Sequence, residues 1–174
     1  MNIIQYYRKL FRKEPPPPAA GCLFTDGKHV LAGYQPHKKK PTITGIGGTC
    51  KEGEQPFDTA IREMLEELFE LDKISNDLLY EVKLLIPRKK LVLDNYTMFA
   101  YSFEDLHLIM HLVCKHNCKS PVYDELPITL LDLISDRKWY SRRQEITDLA
   151  LIPLVSNINI DKAFINDVNS YMRL

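Results

Sequence analysis

The densest chemistry in this chain lies between residues 48 and 70, GTCKEGEQPFDTAIREMLEELFE. Glu63, Glu66, Glu67 and Glu70 follow one another at i, i+3, i+4 and i+7, so on a helix their carboxylates share one stripe. Phe57, Ala60, Ile61, Met64, Leu65 and Leu68 recur at the spacing of that helix's apolar face. Like charges this close repel, and Arg62 sets a single positive charge against four. A solvated acidic face is the ordinary fate of such a run. Here, however, the stripe follows a Gly47-Gly48 turn, with Lys38, Lys39 and Lys40 just upstream. A hard, oxygen-seeking cation such as Mg2+ or Mn2+ would relieve the repulsion and carry substrate phosphates as well. The residues read as a metal cradle.

Gly48, then Glu54 after five residues, Arg62-Glu63 after seven more, and Glu66-Glu67 resemble the Nudix box, G-x5-E-x7-R-E-apolar-x-E-E-x-G-apolar. The match holds as far as Glu67. It departs at the end, where Phe69 replaces the glycine and Glu70 the apolar residue. The resemblance implies an α/β fold, a Nudix-type α/β/α sandwich with a mixed sheet. It also implies a Mg2+- or Mn2+-dependent hydrolase of phosphoric anhydride bonds. By position in the box, Glu66 and Glu67 match the principal metal ligands, and Glu63 a ligand or general base. Gly47 matches a backbone carbonyl ligand, and Arg62 with Glu54 the pair that orients the stripe. Many members draw the base from a later loop; Glu145 stands in that place, with Asp148, Glu125 and Asp124 as competitors. Lys38, Lys39 and Lys40 are candidates for substrate phosphate. Independently of family, splitting a diphosphate needs neutralised charge, a positioned water and a base. Phe69 cannot supply the left-handed cap that glycine allows, so the helix is expected to run on towards Asp72.

Substrate identity lies outside the box. Further basic clusters stand at Arg88-Lys89-Lys90, Arg137-Lys138 and Arg142-Arg143, and a helical insertion is expected near 103–118. Together they give a slight lean to removal of an mRNA cap, with capped RNA as the nucleotide-containing partner. A free-nucleotide or dinucleotide pyrophosphatase is the alternative. A catalytically silent nucleotide- or RNA-binding module is the reading of another class, and intact Glu54, Arg62, Glu63, Glu66 and Glu67 argue against it.

At 174 residues the chain suits one domain. Lys plus Arg and Asp plus Glu each number 23, so no global charge draws it to nucleic acid. It has no apolar run of about 18 residues, hence no expected transmembrane helix. The start does not read as a secretory signal, and four cysteines then suggest reduced thiols in a cytoplasmic protein. Residues 1–18 divide into a basic amphipathic segment, with Ile3, Ile4, Tyr7, Leu10 and Phe11 on one face, and a polyproline spacer. That segment is expected to pack on its own domain, at 19–174, rather than on a membrane.

Around the stripe, Asp26-Gly27 between two apolar runs predicts a hairpin. Segments 78–87 and 91–102 read as strands joined by a turn at 87–90, the second alternating Tyr96, Met98, Ala100 against Thr97, Phe99, Tyr101. A helix capped by Ser102 is expected over 103–116, a short strand or helix over 128–134, and a final helix over 161–172. His107, His111, Cys114 and Cys118 fall on one stripe but span about 16 Å of helix axis, too far for one tetrahedral zinc. That helix reads as buried, or as the interface of a homodimer.

Overall fold

The computed structural model describes residues 19–71, 73–154 and 160–172; the segment and spacer expected at 1–18 lie outside them. The chain runs β1 (Ala19–Phe24), β2 (His29–Gln35), β3 (Thr42–Thr44), β4 (Ile46–Thr49), α1 (Pro56–Phe69), α2 (Asn76–Lys83), β5 (Lys89–Leu93), β6 (Tyr96–Tyr101), α3 (Phe103–Lys115), α4 (Leu130–Ser135), β7 (Asp148–Pro153) and α5 (Lys162–Met172). One sheet has the order β4-β1-β6-β5, with β1 and β6 parallel and the other pairs antiparallel. The second sheet, β3-β2-β7, is antiparallel throughout.

The period of two along the strands sorts side chains into two cores. Ala20, Cys22 and Phe24 of β1, with Phe99 and Tyr101 of β6, pack under α1, α2, α3 and α4. Leu23, Met98 and Ala100 point the other way and pack with Phe164 and Val168 of α5. Helices therefore cover both faces, which is the expected α/β/α sandwich with a mixed sheet. The alternation read over 96–101 matches these two faces.

Several elements differ from expectation. The Asp26-Gly27 turn forms, with Gly27 at φ 85° and the Asp26 carboxylate accepting from the Lys28 and His29 amides. Its two strands nevertheless enter different sheets, touching through the single bridge Thr25–Val30. Both strands are buried along most of their length, so each takes the partners that complete its own sheet. Segment 78–87 is not a strand. Ser75 accepts the Leu78 amide, and Leu78 and Val82, one turn apart, are fully buried, so α2 forms instead. The turn expected at 87–90 sits at Asp94-Asn95, where Leu93 pairs with Tyr96. Segment 128–134 resolves as α4, capped by Thr129 with Asp132 in reciprocal hydrogen bonds.

α3 begins at the expected Ser102, which forms a capping box with Asp105. Leu106, Ile109, Met110 and Val113 are fully buried in the chain's own core, while Leu108 faces outward, half exposed. None of the four cysteines forms a disulfide. Among the described residues no helix is long and apolar enough to cross a membrane.

Candidate active site

α1 starts with proline at its first positions and without a side-chain cap on its N-terminus. Glu54, in the preceding loop, fastens the loop to the helix instead. Its carboxylate accepts the Lys51 amide at 3.0 Å, the Thr59 hydroxyl at 2.8 Å, and Arg62 Nε and Nη2 at 2.9 Å each. Hydrogen bonds from Arg62 hold the Glu54 carboxyl down at about 2.

Arg62 also donates from Nη1 to Glu63 at 2.6 Å and Glu66 at 2.8 Å, and from Nη2 to the Thr49 carbonyl at 3.1 Å. One charge thus reaches three carboxylates, because a guanidinium offers five donors in a fixed fork. The single charge of Arg62 does not neutralise four carboxylates, yet its hydrogen bonds hold two of the stripe in place. Glu67 receives none of these bonds.

Glu67 is 6% exposed, and among the described residues its hydrogen-bond donor is the Gly47 amide at 2.7 Å. Burial pushes its carboxyl well above the usual range against that bond, and Glu63 and Glu145 add to the rise. Burial likewise raises Glu63, opposed by Arg62. Each of the two glycines is needed for its own reason. A Cβ on Gly48 would lie 2.4 Å from the Glu63 carboxyl carbon, whereas one on Gly47 would meet the Ala20 carbonyl and Gly21 Cα at 2.6 Å. Gly47, matched from sequence to a carbonyl ligand, is seen here using its amide to pin Glu67.

Glu63, Glu66, Glu67 and Glu70 line an open cleft of about 320 Å3 with Leu71, Arg143 and Glu145. Of the four candidate bases, Glu145 is the one brought there. Asp124 pairs with Lys138, and Asp124 and Glu125 line a different cavity. Asp148 accepts the Thr147 hydroxyl at 2.7 Å. Lys38 lines a second cavity of about 270 Å3, which shares Arg143 and Glu145 with the cleft; Lys39 and Lys40 are exposed and line neither.

As the side chains stand, no three His, Cys, Asp or Glu groups among the described residues converge to hold an ion. For the glutamates the cause is visible, since Glu63 and Glu66 turn to Arg62. The donor set still suits a hard divalent cation. A carboxylate buried with one neutral donor is unfavourable without a positive partner, and carboxylate oxygens are the ligands Mg2+ and Mn2+ prefer.

The family model of the NUDIX domain matches residues 15–145. The chain belongs to the NUDIX family. Among solved structures its fold is similar to that of a bifunctional NMN adenylyltransferase/ADP ribose pyrophosphatase from Francisella tularensis, complexed with AMP and a manganese ion. The TM-score is 0.51 at 16% identity over 98% of this chain and 45% of that one, so this chain spans less than half the length of that enzyme. The Nudix hydrolase RenU from M. smegmatis aligns at TM-score 0.49 and 14% identity, covering 91% of this chain and 84% of that one. Against curated protein sequences nothing matches.

The Nudix helix of this chain ends in its own way. It stops at Phe69 rather than running on to Asp72, and Glu70 takes the left-handed conformation at φ 50°, ψ 44°, donating its amide to the Glu66 carbonyl. A non-glycine residue there costs about 1–2 kcal/mol. Arg137, 1% exposed at its side chain, offsets that cost. It donates to the carbonyls of Leu68 at 2.6 Å, Glu67 at 2.8 Å and Ile146 at 2.8 Å, and lies 3.6 Å from the Glu70 carboxylate. From sequence, Arg137-Lys138 was a surface cluster open to substrate; the guanidinium is instead buried as a clamp between the helix end and Ile146, in the loop between Glu145 and β7. The signal available in sequence was the missing box glycine, which demanded a substitute cap from elsewhere.

Proposed function

We propose that this Nudix protein hydrolyses the pyrophosphate linkage of a small nucleoside diphosphate derivative, with Mg2+ or Mn2+ held by Glu63, Glu66 and Glu67. The observation that carries the reading is Glu67, a buried acid pinned by Gly47 beside two further carboxylates in an open cleft. A divalent cation there would neutralise charge developing on the diphosphate and favour ionisation of the attacking water. The chain's own residues do the rest. Glu54 and Arg62 fix Glu63 and Glu66 in place, and Glu145 at the cleft rim accepts the proton of the water whose oxygen attacks phosphorus. The bridging P–O bond breaks and two phosphomonoesters leave. The Gly47 carbonyl remains part of the proposed ligand set.

The substrate proposed is small rather than a capped RNA, because two of the four basic clusters are engaged within the fold. Arg88 pairs with Glu104 and Asp105; Lys89 donates to the Tyr171 carbonyl and sits over its ring; Arg137 is buried. Lys38, Lys39, Lys40, Arg142 and Arg143 stay exposed near the cleft and keep decapping as the second reading. A homodimer along α3 would rest on Leu108, since the remaining apolar stripe is occupied. A cytoplasmic setting stays a proposal from the reduced thiols.

A panel of nucleoside diphosphate sugars, dinucleoside polyphosphates and capped RNA tests this, with and without a divalent cation. Metal-dependent turnover of the small compounds supports the reading. Cleavage of capped RNA in preference to them would establish decapping, and a folded protein inert on all three would be a binding module.

A further inference from the structure

Glu145 reaches the cleft from a loop, and its exposed carboxylate accepts no hydrogen bond among the described residues. A base must stand within about 2.6–3.2 Å of the water it deprotonates. With no partner of its own, the Glu145 carboxylate depends for its place on the backbone that carries it. Loops are ordinarily the loosest parts of a fold, yet this one is tied down on both sides of Glu145. Gln144, 2% exposed, uses both ends of its side-chain amide. Its Oε1 accepts the Tyr140 amide at 2.9 Å, and its Nε2 donates to the carbonyls of Ile146 at 3.0 Å and Lys138 at 3.4 Å. Its backbone amide donates to the Ser141 carbonyl at 3.1 Å. One side chain therefore closes residues 138–146 on themselves. The closed loop is in turn fixed to the domain at three points. The Lys138 amide donates to the Val122 carbonyl at 2.8 Å, Arg137 Nη2 to the Ile146 carbonyl at 2.8 Å, and the Thr147 amide to the Tyr34 carbonyl of β2 at 3.0 Å.

We propose that Gln144 is a positioning residue for the hydrolysis: its side-chain amide holds the loop in the path that sets the Glu145 carboxylate at the cleft. The amide is the group this task needs. A glutamate would keep an acceptor for the Tyr140 amide but turn acceptors towards the Ile146 and Lys138 carbonyls, whereas an amide offers an acceptor and donors together. A methionine would fill a similar volume and direct none of the three backbone groups. Gln144 acts through Glu145, so its role rests on the reading of Glu145 as the base.

The test is steady-state turnover of a nucleoside diphosphate sugar by the full chain in Mg2+, for Gln144→Met, Glu145→Gln and the two combined. Gln144→Met should lower kcat about 100-fold, the usual cost of a reacting group displaced by about 1 Å, with KM little changed. The fold should survive, because the Ile146 carbonyl keeps Arg137 and Tyr140 is half exposed, so water can reach its amide. The rise in melting temperature on adding Mg2+ should match that of wild type, since Glu63, Glu66 and Glu67 are untouched. Glu145→Gln should cost about 100-fold or more in kcat. The combined variant should be no slower than Glu145→Gln alone, because groups that act as a unit lose their effects together. Gln144→Asn, the same amide one methylene shorter, serves if the methionine variant does not fold, and should also lose kcat. Losses that multiply in the combined variant would make Gln144 merely structural and overturn the proposal. Wild-type kcat in the Gln144 variant, beside a slow Glu145→Gln, overturns it alone and leaves the base in place. Wild-type kcat in Glu145→Gln removes the base, and the positioning role with it.

Discussion

Gly48→Ala separates the site from the fold more cleanly than any change to a glutamate. Gly48 is not among the positive-φ glycines, so alanine fits its backbone, and the strand gains about 0.4–1 kcal/mol from a less flexible unfolded chain. The new methyl would stand 2.4 Å from the Glu63 carboxyl carbon. Ordinary carbon contacts begin near 3.5 Å, so Glu63 must retreat by about 1 Å, and as the end of a flexible side chain it can. The retreat breaks the 2.6 Å bond to Arg62 and moves a proposed ligand. Displacement of about 1 Å in a reacting constellation costs about 100-fold. Divalent-dependent turnover should therefore fall about 100-fold in kcat/KM, with the melting temperature unchanged within a few degrees. Glu63→Asp added to Gly48→Ala, one methylene shorter, should recover part of the loss. Wild-type kcat/KM in a folded Gly48→Ala protein would refute the placement of Glu63 in the site.

Three further expectations follow from the same geometry. Glu67→Gln keeps the size of the buried group and removes its charge; turnover should drop about 100-fold or more while thermal stability holds, and undiminished turnover would remove Glu67 from the metal set. The folded-state carboxyls of Glu67 and Glu63 lie above their ordinary value of 4.5, so the native protein retains protons the unfolded chain has lost. Their contribution to stability is full below about 4.5 and declines as pH rises through the raised values; divalent cation, competing with those protons, should raise the melting temperature more at about pH 8 than at about pH 6, and an equal gain at both would contradict the assignment. Arg137→Met leaves the carbonyls of Glu67, Leu68 and Ile146 without their donor, at a cost of about 3–5 kcal/mol. Calorimetry should show a melting temperature lower by about 10 °C, and a near-neutral substitution would mean that Glu70 keeps its left-handed cap unaided.

The active face was legible because it is local. Six residues at fixed gaps on one loop and one helix set the stripe, and the period of two over 96–101 told both strand faces apart. Glu145 could be placed from its position ahead of an apolar run that became β7. What was not legible depends on partners distant in sequence. Nothing between 66 and 70 reveals that Arg137 terminates the helix. Nothing at Asp26-Gly27 reveals that its two flanking strands belong to different sheets. α2 was hidden by the density of its apolar residues, although Ser75 and the Leu78–Val82 spacing carried the helical signal.

The central claim is that the carboxylate cleft splits a diphosphate with a divalent cation. Product analysis of a nucleoside diphosphate sugar incubated with the full chain in Mg2+ or Mn2+ tests it most directly. A nucleoside monophosphate and a sugar phosphate should appear in equal amounts, their release abolished by EDTA and by Glu67→Gln. Release that persists in EDTA, or a folded protein that yields neither product with either metal, would contradict it.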